Sequence, residues 1–170
     1  MSNLPQPHDQ VYACFLAEAP ELLQTIEQEL LTLKEDRNLS KIYTLMRATH
    51  TLKAMAAGVG LKTINTLAHS LEDIFNTLHS PAVVIDSALE ALLFRSYECL
   101  RLLLTAEFNH MPIDEAAVSE QAAVVFDQLQ QKIGDFSNRR MQLPTSAELG
   151  ADITHSIFST VVGEGLAALA

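Results

Sequence analysis

Two histidines in this sequence lie next to side chains that assist chemistry at an imidazole ring. His50 and Lys53 are three residues apart, and His69 and Glu72 repeat that spacing. Because residues three apart share a face of a helix, each pair is expected to project from one helical surface. An imidazole that donates one N–H to a carboxylate keeps its other nitrogen available as a nucleophile. The two pairs therefore predict a histidine nucleophile with a carboxylate beside it.

Small residues follow His50 on the same predicted helical face. Ala54 and Ala57 come four and seven residues later, so the imidazole is expected to be open to approach. His50 directly follows Thr49, which belongs to the apolar stripe of its helix. This places His50 at the rim of the core, where a second protein has access to the ring.

The apolar periodicity predicts five helices that position these residues. They cover about residues 8–35, 39–57, 62–79, 85–108 and 113–136, with prolines and glycines between them. Pro20 lies inside the first, which predicts either a kink or a second helix that starts there. No stretch predicts a convincing strand. Five helices with short loops predict an all-α fold, an antiparallel up-and-down four-helix bundle with a fifth helix.

The second and third predicted helices carry the clearest apolar stripes. These consist of Ile42, Leu45, Thr49, Leu52, Ala56 and Val59 in the second helix, and of Ile64, Leu67, Leu71, Ile74 and Leu78 in the third. A short turn with two glycines, residues 58–60, joins the two helices, so they should be antiparallel neighbours. His50 and Glu72 lie at comparable distances from this turn, which predicts that the carboxylate faces the imidazole.

The sequence around His50 resembles the signature of histidine-containing phosphotransfer (HPt) domains. The family pattern is roughly H-x-L-K-G-x-A-x-x-x-G, and Lys53, Ala56 and Gly60 occupy the matching positions here. The run Ala-His-Ser-Leu-Glu-Asp at 68–73 resembles the following helix of CheA-type chemotaxis kinases. The resemblance covers about residues 8–136, and it departs from the pattern at Ala54, where the family has glycine.

The resemblance implies a role for each site residue. His50 would be the phosphoacceptor, and Glu72 would hold its inward ring nitrogen. Lys53 and His69 would lie near the phosphoryl oxygens and offset their charge.

The resemblance also implies partners for the domain. The phosphoryl group would come from the ATP site of a histidine kinase catalytic domain and pass to an aspartate on a response-regulator receiver domain. Mg²⁺ and ATP would belong to those partners, so no cofactor or metal is expected here. Ala54 and Ala57 would lie in the docking surface, where the extra methyl of Ala54 is expected to alter close approach.

Two other functions stay open on the sequence. A degenerate HPt-like domain would only bind partners, and Ala54 is the main support for that alternative. An unrelated helical bundle with a scaffold or metal role is the other. Di-iron bundles use Glu-x-x-His pairs with further glutamates, whereas this chain has the reverse order from His69 to Glu72 and no second such pair.

The composition limits the class of protein. The chain has 170 residues with a formal net charge of −10, and 48% of them are hydrophobic. The apolar fraction excludes intrinsic disorder, and the acidity argues against nucleic acid and anionic membrane surfaces as partners. No secretory signal or membrane-spanning run is present, which predicts a cytoplasmic protein. Cys14 and Cys99 are expected to be buried in a reducing compartment, and the remaining histidines are expected on the surface: His8, His79, His110 and His155.

The sequence predicts three parts along the chain. Residues 1–137 form the HPt helical bundle, 138–146 a linker, and 147–170 an apolar, partly helical segment that leads to further domains of a longer parent. No glycine-rich ATP lid is present, so the chain cannot be a complete kinase. It is expected to be a fragment of a CheA-type protein histidine kinase.

Overall fold

The computed structural model describes residues 6–142 of the chain. Over this range it has five α-helices and no strand: α1 (Pro7–Leu33), α2 (Leu39–Gly58), α3 (Lys62–Thr77), α4 (Ser87–Phe108) and α5 (Glu115–Gln142). The chain divides into two compact units, of which the first ends at Gly134. The predicted all-α fold is confirmed.

The first four helices form a closed ring. α1 packs against α2, α2 against α3, α3 against α4, and α4 returns to α1. Because short loops join helices that contact each other, their directions alternate. α5 lies outside this ring, and its residues up to Gly134 share one groove with α3 and another with α4. Its core-facing residues are Val118, Ala122, Val125, Leu129 and Ile133. The first unit is therefore a four-helix ring with the part of the fifth helix up to Gly134 on one flank.

The stripes predicted for the second and third helices form the inner faces of α2 and α3, and their last members, Val59 and Leu78, are the residues that directly follow these helices. Every residue of the two stripes is buried, with at most 9% of its surface exposed. Thr49 is the polar member, and its hydroxyl donates to the backbone carbonyls of Leu45 and Met46 at 2.8 and 3.0 Å. A buried hydroxyl that is hydrogen-bonded in this way does not destabilise the core. The stripes fix which face of each helix remains for function.

Pro20 lies inside α1, which continues without interruption from Pro7 to Leu33. Of the two alternatives for this position, a second helix that starts at Pro20 is therefore wrong. Pro20 is exposed, so the carbonyl of Leu16, which has no helical donor, lies on the side that water reaches.

The turn between α2 and α3 depends on Gly60. Its φ is +79°, in the left-handed region that favours glycine. The N–H of Gly60 donates to Ala57 and the N–H of Leu61 to Ala56, at 3.2 and 2.9 Å. These two bonds satisfy carbonyls at the end of α2 and reverse the chain sharply. α3 therefore starts beside α2 and runs back along it.

Several helix ends differ from the prediction. α4 begins at Ser87 because the side chain of Asp86 accepts a hydrogen bond from the N–H of Leu89 and caps the helix. α5 continues to Gln142, so residues 138–142 of the predicted linker are helical. The rest of the linker, the predicted C-terminal segment 147–170 and His155 lie outside the described residues.

The prediction for the cysteines is half wrong. Cys99 is buried, but Cys14 is exposed, and its thiol donates to a carboxylate oxygen of Glu18 at 2.6 Å. Cys14 lies one residue before the buried Phe15 on α1, and a step of one residue turns a helical side chain away from the core face. The predicted surface positions of His8, His79 and His110 are confirmed. Across the described residues, no helix combines the length and apolarity that a membrane crossing needs.

Candidate functional site

His50 projects from the outer side of α2, next to the buried stripe. Thr49 before it and Leu52 after it have no exposed surface, whereas the side chain of His50 is 65% exposed. The stripe anchors the helix so that the imidazole stands at the rim of the core. The ring is open to a second molecule without any movement of the backbone.

Glu72 on α3 connects two side chains of α2. One of its carboxylate oxygens, Oε2, lies 2.6 Å from Nδ1 of His50. The other, Oε1, accepts a hydrogen bond from Nζ of Lys53 at 2.8 Å. The carboxylate is only 16% exposed, and each of its oxygens has a partner. The predicted meeting of Glu72 and His50 across the helix pair is present in the structure.

The environment of Glu72 keeps it ionised. Partial burial raises the pKa of this carboxyl, but hydrogen bonds from Lys53 and His50, together with their charges, outweigh that effect, and the pKa is lowered. An ionised carboxylate only accepts hydrogen bonds. Nδ1 of His50 is therefore the donor in the bond to Glu72.

This assignment fixes the tautomer of His50. With its proton on Nδ1, the neutral ring carries its lone pair on Nε2, at the opposite edge. Nε2 makes no hydrogen bond with any described residue. The arrangement presents a nucleophilic nitrogen on an exposed ring while a carboxylate holds the other side.

A shallow pocket adjoins His50 on α2. It has a volume of about 240 Å³ and is lined by Tyr43, Met46, Arg47, His50, Thr51 and Glu72. The guanidinium carbon of Arg47 lies 5.8 Å from the centre of the Tyr43 ring, a cation–π distance. Arg47 is not among the site residues predicted from the sequence. The signal that identifies it is its position three residues before His50, on the same helical face.

His69 does not join His50 and Lys53. Its Nε2 lies 3.6 Å from a carboxylate oxygen of Asp73, and both side chains are largely exposed. Ligand atoms of His69, Glu72 and Asp73 lie within 4.8 Å of one another, so the three residues form a potential cation cluster on α3. Two of its members are exposed, and both oxygens of Glu72 already have partners on α2, so the cluster is a weak metal candidate.

Ala54 and Ala57 lie on the exposed side of α2. They continue the His50 surface toward the turn to α3, as their spacing predicts. The surface around the imidazole therefore consists of small side chains on one side and of the Arg47 pocket on the other.

Comparisons with known proteins agree with this arrangement. The family model of the Hpt domain matches residues 10–110. The chemotaxis protein CheA of Bacillus subtilis (strain 168) is 31% identical over 91 residues, which cover 53% of this chain and 14% of that protein. CheA of Treponema pallidum (strain Nichols) is 28% identical over 102 residues, 59% of this chain and 13% of that protein. The chain thus matches only a small part of the length of these relatives.

A solved structure has a similar fold. It is the crystal structure of the phosphorylated P1 domain of CheA3 in complex with CheY6 from R. sphaeroides, with a TM-score of 0.59 and 23% identity. The alignment covers 74% of this chain and 97% of that one.

A four-helix ring that presents a carboxylate-bound histidine on its second helix defines a histidine phosphotransfer module. The family model covers more than half of the 170 residues. The chain belongs to the Hpt domain family.

Proposed function

We propose that this chain is the phosphotransfer domain of a CheA-type protein histidine kinase and that it carries the phosphoryl group on Nε2 of His50. The observation that carries this proposal is the 2.6 Å contact between Nδ1 of His50 and the Glu72 carboxylate, next to a ring that is 65% exposed. The donor is the ATP site of a kinase catalytic domain. The acceptor is an aspartate on a response-regulator receiver domain.

The first transfer is an in-line displacement at the γ-phosphorus of ATP. The Nε2 lone pair forms the N–P bond while the bond to the bridging oxygen breaks, and ADP leaves with that electron pair. The ring keeps its proton on Nδ1 and becomes a phosphorylated imidazolium. Glu72 stabilises the positive charge that develops on the ring, and Lys53 holds the carboxylate in place from its other oxygen.

The second transfer returns the ring to its starting state. A carboxylate oxygen of the receiver aspartate attacks phosphorus, the N–P bond breaks, and its electron pair returns to Nε2. Because the proton has stayed on Nδ1, the neutral tautomer is restored. Mg²⁺ and nucleotide are bound by the partner domains in both steps.

The other predicted site residues have supporting roles in this proposal. Lys53 adds positive charge behind Glu72. His69 contributes a polar imidazole side chain at the edge of the site, on the turn of α3 that precedes Glu72. Ala54 and Ala57 form the side of α2 on which partners dock.

Labelled ATP and a CheA-type kinase lacking its own phosphotransfer domain test the proposal. Wild type should take up label that is labile in acid and stable in alkali, as a phosphoramidate is. His50→Gln should take up none, and His8→Gln is the matched control that should behave as wild type. Label that persists in His50→Gln would overturn the assignment.

A second function, partner binding without phosphotransfer, has Ala54 as its support. It predicts a folded protein that binds a receiver domain but takes up no label from the kinase or from a small phosphodonor such as phosphoramidate. The same labelling experiment therefore separates the two functions.

A further inference from the structure

Two cations of α2, Lys53 and Arg47, are associated with the His50 site, and they differ in their partners. Lys53 is bound to Glu72 at 2.8 Å and thus lies behind the carboxylate that holds Nδ1. The free nitrogen, Nε2, is at the opposite edge of the ring. Lys53 therefore already has an anionic partner, whose other oxygen binds Nδ1 of His50.

Arg47 is the cation of the pocket that His50 lines. It is exposed, and it makes no ion pair with any described residue. Its one described interaction is with the ring of Tyr43, at 5.8 Å. Arg47 and His50 are three residues apart on α2, a spacing at which side chains on neighbouring turns meet.

A phosphoryl group on Nε2 brings negative charge to an acidic surface. The chain has a formal net charge of −10, and the ionised Glu72 lies against the same ring. A phosphoryl group on the open side of the imidazole therefore needs a cation that is not already paired with a carboxylate. A guanidinium supplies that charge together with a fork of N–H donors that matches phosphoryl oxygens.

We propose that Arg47 binds the phosphoryl oxygens of phosphorylated His50, and that Tyr43 holds the guanidinium at the pocket while His50 is unmodified. This assignment rests on His50 as the phosphoacceptor. On phosphorylation the guanidinium moves from the Tyr43 ring, on the preceding turn of α2, to the phosphoryl group. Lys53 stays with Glu72.

The neighbouring groups of the pocket favour Arg47 over other candidates. His69 is paired with Asp73, at 3.6 Å. Nε2 of His79 lies 3.0 Å from the sulfur of Met46 and so rests against the pocket wall. Arg47 is the pocket residue with a permanent positive charge.

The test uses the full chain and phosphoramidate, a small phosphodonor that needs no kinase. Four proteins are compared by ³¹P NMR: wild type, Arg47→Ala, Arg47→Lys and the control Arg95→Ala, an exposed arginine on α4 whose loss changes the net charge equally. His50→Gln is run in parallel. Two quantities are measured, the rate at which the phosphohistidine signal grows and the pH midpoint at which its phosphoryl group titrates.

Arg47→Ala should form phosphohistidine about fivefold more slowly, because an exposed charge-assisted contact to an oxyanion is lost. The phosphoryl titration midpoint should rise by about half a pH unit, since a nearby cation favours the dianion. Arg47→Lys should recover part of both effects, and Arg95→Ala should match wild type. A purely structural role for Arg47 would not move the phosphoryl titration.

Equal rates and equal midpoints in wild type and Arg47→Ala would overturn the role of Arg47 and leave His50 as the phosphoacceptor. Equal changes in Arg47→Ala and Arg95→Ala would also overturn it, because net charge alone would then explain them. A signal that persists in His50→Gln would instead overturn the proposed function. The two failures are thus distinguishable.

Discussion

The side-chain amide of Asn65 on α3 donates a hydrogen bond to the backbone carbonyl of Lys53 on α2, over 2.9 Å. This bond crosses between the two helices close to the site and ties the backbone of one to a side chain of the other. Glu72 follows Asn65 by seven residues, which is two turns on the same face of α3. The contact therefore fixes the helix register that brings the Glu72 carboxylate to His50.

Glu72→Ala should slow phosphorylation of His50 about 10- to 100-fold, the range for groups that orient a reacting ligand. Without the carboxylate the ring loses its fixed tautomer and the anion that stabilises the imidazolium. Glu72→Gln, which keeps the size of the side chain but not the charge, should be closer to Ala than to wild type. The measurement is the initial rate of labelling by kinase and ATP, with helicity followed by circular dichroism.

Asp73→Asn is the matched control for that experiment. Asp73 follows Glu72 directly, is exposed, and pairs with His69. It should label at the wild-type rate. Wild-type rates in Glu72→Ala, with unchanged helicity, would show that Glu72 is an ordinary surface charge.

The sequence predicts the fold well because the apolar stripes are unambiguous. In α2 and α3 every stripe position is buried, and steps of three and four residues have no other regular interpretation. The pairing of His50 with Glu72 can also be predicted from the sequence, because the short glycine turn makes the two helices antiparallel neighbours. Helix ends were predicted less well, since the Asp86 cap and the length of α5 depend on local hydrogen bonds and packing.

Contacts between distant parts of the chain could not be predicted from these patterns. Arg37, between α1 and α2, reaches carbonyls between α3 and α4, and no periodicity relates the two loops. The preference of His69 for Asp73 depends on rotamers, because both Glu72 and Asp73 are within its reach on α3. Arg47 has a signal in its spacing from His50, but the signature emphasises residues after the histidine rather than before it.

Ala54→Gly tests the departure from the family pattern. Ala54 is exposed one turn after His50, so its methyl lies on the open surface of α2. If the methyl hinders docking, the glycine variant should be phosphorylated faster by the kinase. Its free energy of unfolding should fall by about 1 kcal/mol, the cost of glycine inside a helix. Ala57→Gly is the control for the stability effect, and an equal or slower rate in a folded Ala54→Gly protein would mean that Ala54 is no impediment.

Arg37→Ala should lower the free energy of unfolding by about 2 kcal/mol, because several carbonyls lose a charged donor. The guanidinium donates to Leu78 and Ser80 at 2.6 Å each, and to Val83. Arg37→Lys should recover only part of the lost stability, since an ammonium lacks the planar fork of N–H donors that a guanidinium has. Urea unfolding measures both. Wild-type stability in Arg37→Ala would show that water replaces these bonds at no cost.

Gly60→Ala should destabilise the domain by about 1–2 kcal/mol, because an L side chain is strained at a φ of +79°. Space is not the cause, since a Cβ at this position has no atom within 4 Å. Gly58→Ala is the opposite control. Gly58 is the last residue of α2 and has room for a Cβ, 3.9 Å from Val11, so alanine there should be neutral or stabilising. Thermal unfolding measures the stability of both variants. Equal destabilisation by the two substitutions would contradict the requirement for glycine at position 60.

Asp86 gives a prediction for the dependence of stability on pH. Its carboxylate accepts from the N–H of Leu89 and pairs with Lys132 at 2.9 Å. The Leu89 hydrogen bond is the main cause that lowers the pKa of Asp86 below its ordinary 3.8. A lowered pKa in the folded state means that the stabilisation is present above the unfolded pKa and is lost as the pH falls through the folded one. Asp86→Asn keeps a capping oxygen but does not titrate. The difference in the free energy of unfolding between wild type and Asp86→Asn should therefore become smaller as the pH falls from about 5 to about 2. Urea unfolding at a series of pH values measures this difference. A difference that stays constant would show that the charge of Asp86 does not stabilise the fold.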